Sequence, residues 1–147
     1  VRRASAAEVG SASIEFLVAG LLLLVPIVYL VVLVATVQSA ALATEGAARQ
    51  AARVFVQAPS VGDGEAAAVR ALELALADHG VTAETSIAVT CRPEPTECLA
   101  RRGWVTVSIE ASVPLPLVPS ILDVTAPLAV PIEASATQQV SRFRGAP

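Results

Sequence analysis

The feature that most constrains this chain is an apolar run from Phe16 to Val37 that contains no charged side chain. As a helix rising about 1.5 Å per residue, such a run reaches roughly 33 Å, enough to cross the hydrocarbon core of a bilayer. A helix without a polar stripe must be buried on every side or lie in lipid, and the rest of a 147-residue chain is too small to wrap it. The run therefore predicts a membrane-spanning helix surrounded by the lipid bilayer. Pro26 lies inside it and Gly20 adds a second soft point. Proline lacks an amide and crowds the carbonyl four residues back, so Pro26 predicts a helix kink near Leu22; membrane helices tolerate this when neighbours satisfy the freed carbonyl. A single carboxylate, Glu15, stands at the lip of the run, where a charge is costly without a partner.

Beyond Val37 the sequence turns amphipathic without a helix breaker and becomes rich in alanine, a strong helix former. Val37, Ala41, Ala48, Ala52 and Phe55 fall close to one helical face, with Glu45, Arg49 and Arg53 spaced by four on another. The helix is expected to leave the membrane and offer its apolar face as a spine for the remaining residues. Pro and Gly mark 58–64 as a loop, with Ser60 or Asp63 available as a cap. A second helix is predicted from Glu65 to His79, with Val69, Leu72 and Leu76 on one face and Gly80 as its stop. His79, the one histidine, reads as a surface residue that compensates the helix dipole.

Three alternating segments follow. Val81 to Cys91, Val105 to Val113 and Leu128 to Ala136 each place apolar residues on odd or even positions and Thr, Ser and Glu on the others. One buried and one wet face suit an antiparallel sheet laid on a helix. Between the second and third segments, Pro114-Leu115-Pro116-Leu117-Val118-Pro119 has too few amides for a sheet interior and reads as a stiff crossover loop; its PxxP could instead dock an aromatic groove. Pro127 and Pro131 point to an edge position for the third strand. The predicted fold class is α+β: a long N-terminal membrane-spanning helix, then a small domain with a second helix and a three-stranded antiparallel sheet. The expected boundaries are a leader over 1–10, a stem over 11–56 and an extracytoplasmic domain over 57–147.

Cys91 and Cys98 are the two cysteines. In an exported domain so close a pair favours a disulfide, worth about 2–3 kcal/mol in the chain-entropy model. One His and two Cys supply too few soft ligands for a closed zinc shell, so no metal site is expected. A disulfide puts the domain on the oxidising side of the membrane. Arg2 and Arg3 ahead of the span favour a cytoplasmic N-terminus, although Arg49 and Arg53 beyond it weaken the asymmetry. The run exceeds the 7–15 residues typical of a signal-peptide core, yet Ser39-Ala40-Ala41 keeps cleavage as a secretory signal open as an alternative. A net charge of -3 with dispersed arginines excludes the dense basic face that nucleic acid requires. No nucleotide, metal-hydrolase or Ser-His-Asp pattern can be read, so no catalytic residue, cofactor or enzymatic activity is expected.

The stretch Gly10-Ser11-Ala12-Ser13-Ile14-Glu15-Phe16 resembles the processing site of a type IV prepilin: a short polar leader ending in glycine, then a glutamate at the fifth mature position, against an uninterrupted apolar span. Pro26 within the span and Gly46-Ala47-Ala48-Arg49-Gln50-Ala51-Ala52-Arg53 resemble the TadE-like family of pseudopilins. The resemblance covers roughly Gly10 to Val54. It implies cleavage between Gly10 and Ser11 by a prepilin peptidase, and pairing of Glu15, with Phe16 beside it, to the freed Ser11 amine of a neighbouring subunit. It also implies a role as a minor pilin or pseudopilin of a tight-adherence (Tad/Flp-type) pilus. The expected partners are other pilin or pseudopilin subunits and the Tad assembly machinery, and the expected location is the cell membrane or a surface pilus. The alternative from the residues alone is a single-pass anchored binding or adhesin domain that is never processed.

Overall fold

The computed structural model describes residues 8–115 and 128–145, with side chains from residue 13 onward. The leader residues 1–7 and the proline-rich connection from residue 116 to 127 lie outside the described residues. The architecture is α+β: α1 (Glu8–Gln57), α2 (Val61–Asp78), β1 (Glu84–Arg92), β2 (Trp104–Pro114) and β3 (Ala129–Gln139). The strands form one antiparallel sheet in the order β1-β2-β3. Pro131 sits in the edge strand β3, where a missing amide is tolerated.

Two compact units divide the chain at Ala35 and Thr36. In the first, α1 carries exposed apolar side chains on every side, from Ile14 and Phe16 through Leu21 to Leu24 and on to Val34. The helix runs unbroken through Pro26.

In the second unit, the C-terminal half of α1 and α2 share a core with one face of the sheet. Ala40, Ala43, Thr44, Ala47, Ala48, Ala51, Ala52 and Phe55 are buried, a spacing of three and four that keeps to one helical stripe. Alanine brings the backbone close to its neighbours, and Phe55 supplies the bulk at the end of the stripe. Thr44 is fully buried, and its hydroxyl donates to the Ala40 carbonyl at 2.8 Å. Ala41, expected on this face, is instead exposed. Ala48, Ala52 and Phe55 of the expected face are buried, and Ala40, Ala43, Ala47 and Ala51 join them, so the buried stripe is wider than that face and extends away from Ala41, because α1 packs against both α2 and the sheet.

Helix α2 starts at Val61, four residues before the expected Glu65. Ser60 is its N-cap: its hydroxyl accepts from the Asp63 amide at 3.2 Å and donates to the Asp63 carboxylate at 2.6 Å. Gly62 and Gly64 disguise this start, since glycine is a weak helix former. Gly64 faces the Phe55 ring, which a Cβ there would meet at 3.1 Å. Buried positions Gly64, Ala68, Leu72 and Leu76 recur every four residues, while Val69, expected among them, stays largely outside. The helix ends with His79 as C-cap and Gly80 at φ 62. Val81 N–H donates to the Leu76 carbonyl at 2.9 Å and Gly80 N–H to that of Ala77 at 3.0 Å, the paired closure that a left-handed glycine permits.

Along the sheet, Ile87, Val89 and Cys91 of β1, Val105, Val107 and Ile109 of β2, and Ala134 and Ala136 of β3 point to the core. Alternate residues form the outer face, in agreement with the period-two pattern of the sequence.

Candidate functional site

Two regions carry the candidate residues. The first is the start of α1. Gly10 and Ser11 belong to the first turns of this helix, where backbone amides lack intrahelical partners and ends fray most easily. Glycine weakens the turn further. Glu15 and Phe16 follow one turn later, both exposed, with Phe16 78% accessible. The geometry thus joins Gly10, Ser11, Glu15 and Phe16 on one element with the apolar run. Pro26 lies farther along the same helix; it removes the amide that the Leu22 carbonyl otherwise receives. That apolar stretch is long enough to cross a membrane by length and composition, and none of its most apolar window is buried within the protein.

The second region is the tip of the β1–β2 hairpin. Cys91, in β1, is bonded to Cys98 in the connecting loop, with Cα atoms 5.0 Å apart. Cys91 is buried and Cys98 and Leu99 pack against the core, so the disulfide fastens the loop to the domain. Successive turns at Glu94–Glu97, Glu97–Ala100 and Ala100–Gly103 fold the loop back. Gly103 is required there: a Cβ would lie 2.9 Å from the Ala100 carbonyl oxygen and 3.3 Å from that of Arg92. Arg102 adopts φ 63.

This tip is tied to the end of the chain. Arg102 N–H donates to the Val140 carbonyl at 3.2 Å, and Val140 N–H to that of Gly103 at 2.8 Å. Arg101 Nε donates to the Arg144 carbonyl at 2.7 Å. Arg144 in turn reaches the end of α1, donating to the carbonyls of Val56, Ala58 and Pro59. Sequence reasoning misses Arg144: its partners lie more than eighty residues away, and no local periodicity signals them. Beside it, the Arg142 guanidinium stacks 4.5 Å from the centre of the Phe143 ring. Arg102, Gln139, Ser141, Arg142 and Phe143 border an open depression of about 490 Å³.

Among the described residues no group of three or more His, Cys, Asp or Glu side chains is placed to hold a metal ion. Every buried side-chain nitrogen or oxygen among them has a hydrogen-bond partner. No family model, characterised protein or solved structure matches the chain.

Proposed function

We propose that this protein is a minor pilin or pseudopilin of a tight-adherence pilus. In this reading it is inserted once in the cell membrane, with its N-terminus cytoplasmic and its sheet domain outside. A prepilin peptidase cuts between Gly10 and Ser11, and the processed chain acts in pilus assembly or structure. The observation that carries the reading is the placement of Gly10, Ser11 and Glu15 at the head of one helix whose following residues, as far as Val34, expose apolar side chains all round. A helix of that kind needs lipid or the stems of other subunits as its surroundings. The compact domain built on Thr36 and beyond is then carried on the same helix.

Cleavage leaves a free amine on Ser11, at the positive end of the helix dipole. Glu15, one turn on, offers a carboxylate that favours this end. In low dielectric the pairing of Glu15 with the Ser11 amine of a neighbouring subunit offsets the burial of both charges and sets the stagger between stems. The test is Glu15→Ala, with Glu15→Gln as the isosteric control, in cells that express the full assembly system. Both variants are expected to insert, fold and be processed as wild type while their recovery in sheared surface filaments falls about tenfold or more. Recovery equal to wild type would show that the carboxylate does not pair subunits.

A further inference from the structure

The outer face of the sheet carries its charge at its two ends. At one end Glu110 of β2 stands directly opposite Glu133 of β3, with Glu84 of β1 one row away. Like charges directly opposite each other destabilise a strand pair. Ser86 donates a hydroxyl hydrogen bond to Glu110 at 3.3 Å, but neither Glu110 nor Glu133 has a cationic partner among the described residues. At the other end Arg92, Trp104 and Gln139 form a single cross-strand row. The hairpin tip and the C-terminal segment add Arg101, Arg102 and Arg142 here, outnumbering the two loop carboxylates Glu94 and Glu97, while the Arg144 guanidinium is held at the end of α1. Trp104 is 48% exposed and Phe143 is 79% exposed. Glu110 lies six residue steps along β2 from Trp104, about 20 Å at strand rise. Between the ends lie only small side chains, including Ala88, Ser108 and Ser135.

We propose that this face is a contact between two copies of the chain, in which the arginine and aromatic end of one copy receives the Glu110–Glu133 row of the next. The charges are complementary within one sequence, so the second copy supplies what the first lacks at each end. Pro131, exposed beside Glu133, offers its ring to Trp104 of the neighbour. A contact of one end on the opposite end is heterologous, and it extends as a linear assembly where its rotation does not close a ring. The proposal rests on the pilin-like reading for the common orientation of the copies.

The experiment is sedimentation of the full chain in non-ionic detergent, comparing wild type with two charge-reversed forms: Glu110→Arg with Glu133→Arg, and Arg92→Glu with Arg142→Glu. Wild type is expected to associate in proportion to concentration, and less so as salt rises. Each reversed form alone should associate about tenfold more weakly, and an equimolar mixture of the two should regain wild-type association, because opposite ends again meet. The regain in the mixture excludes misfolding as the cause of the loss. A wild-type chain that stays monomeric, reversed forms that associate like wild type, or a mixture without regain would each overturn the proposal. The N-terminal mass of the same samples, made alongside a prepilin peptidase, separates the two ideas. A start at Ser11 without charge-dependent association defeats the contact and leaves the pilin-like reading standing, whereas association of an uncleaved chain does the opposite.

Discussion

Arg144 shows how one side chain can join distant parts of a small domain. Its guanidinium donates to Val56, Ala58 and Pro59 carbonyls, which lie at the C-terminal end of α1 and in the loop after it, where no further helical turn can supply amides. A charged donor also favours the negative end of the helix dipole. Replacing Arg144 by Ala leaves these carbonyls without donors and should destabilise the Thr36–Pro147 unit by about 1–3 kcal/mol. Arg142→Ala, two residues away, removes only an exposed stacking contact and should stay within about 0.5 kcal/mol of wild type. Denaturant unfolding of both full-length variants, followed by the fluorescence of Trp104, tests the contrast. Nothing in the local sequence distinguishes these two arginines; only the closure of the chain end onto α1 does. By contrast Gly80 is legible, because a glycine after a helical pattern has a specific use at positive φ.

At the scale of elements, α1 has two environments along one helix. From Phe16 to Ala35 its side chains are mostly apolar and exposed, and from Ala40 on one stripe is buried against α2 and the sheet. Periodicity reveals the helix, its continuation past Val37 and the alternation of faces along the three strands, since a half-buried sheet permits only one choice of face, although Thr85 and Leu128 on the apolar side of the pattern are exposed. It does not settle the rotation of the stripe. Alanine is compatible with either side of a helix, so Ala41 and Ala48 read alike in the sequence although only Ala48 is buried. Ala48→Leu should therefore overpack the core and destabilise by about 1–3 kcal/mol, whereas Ala41→Leu should change stability by less than about 0.5 kcal/mol. Thermal unfolding of the two variants decides whether the stripe is drawn correctly. The outer surface of the sheet is visible in the sequence as a polar face, but its division into an acidic and a basic end depends on strand register, which pairs Glu110 with Glu133 and Arg92 with Trp104.

For the molecule as a whole, the α+β layout and the Cys91–Cys98 disulfide agree with what the residues predict. An apolar run, an alternating pattern and a close cysteine pair are each governed by local physics, so a single sequence is enough to read them. In the proposed reading, function depends on what surrounds the exposed apolar part of α1 and on processing at Gly10, which involve partners that local physics does not encode. The central claim is that the peptide bond between Gly10 and Ser11 is cut and the rest of α1 is retained. The direct measurement is the intact mass and N-terminal sequence of the protein recovered from membranes, with and without a co-expressed prepilin peptidase. The pilin-like account predicts a start at Ser11 only when the peptidase is present. An uncleaved N-terminus in both samples would contradict it in favour of an anchored binding domain, and a start near Ala41 would contradict it by making the apolar run a signal peptide.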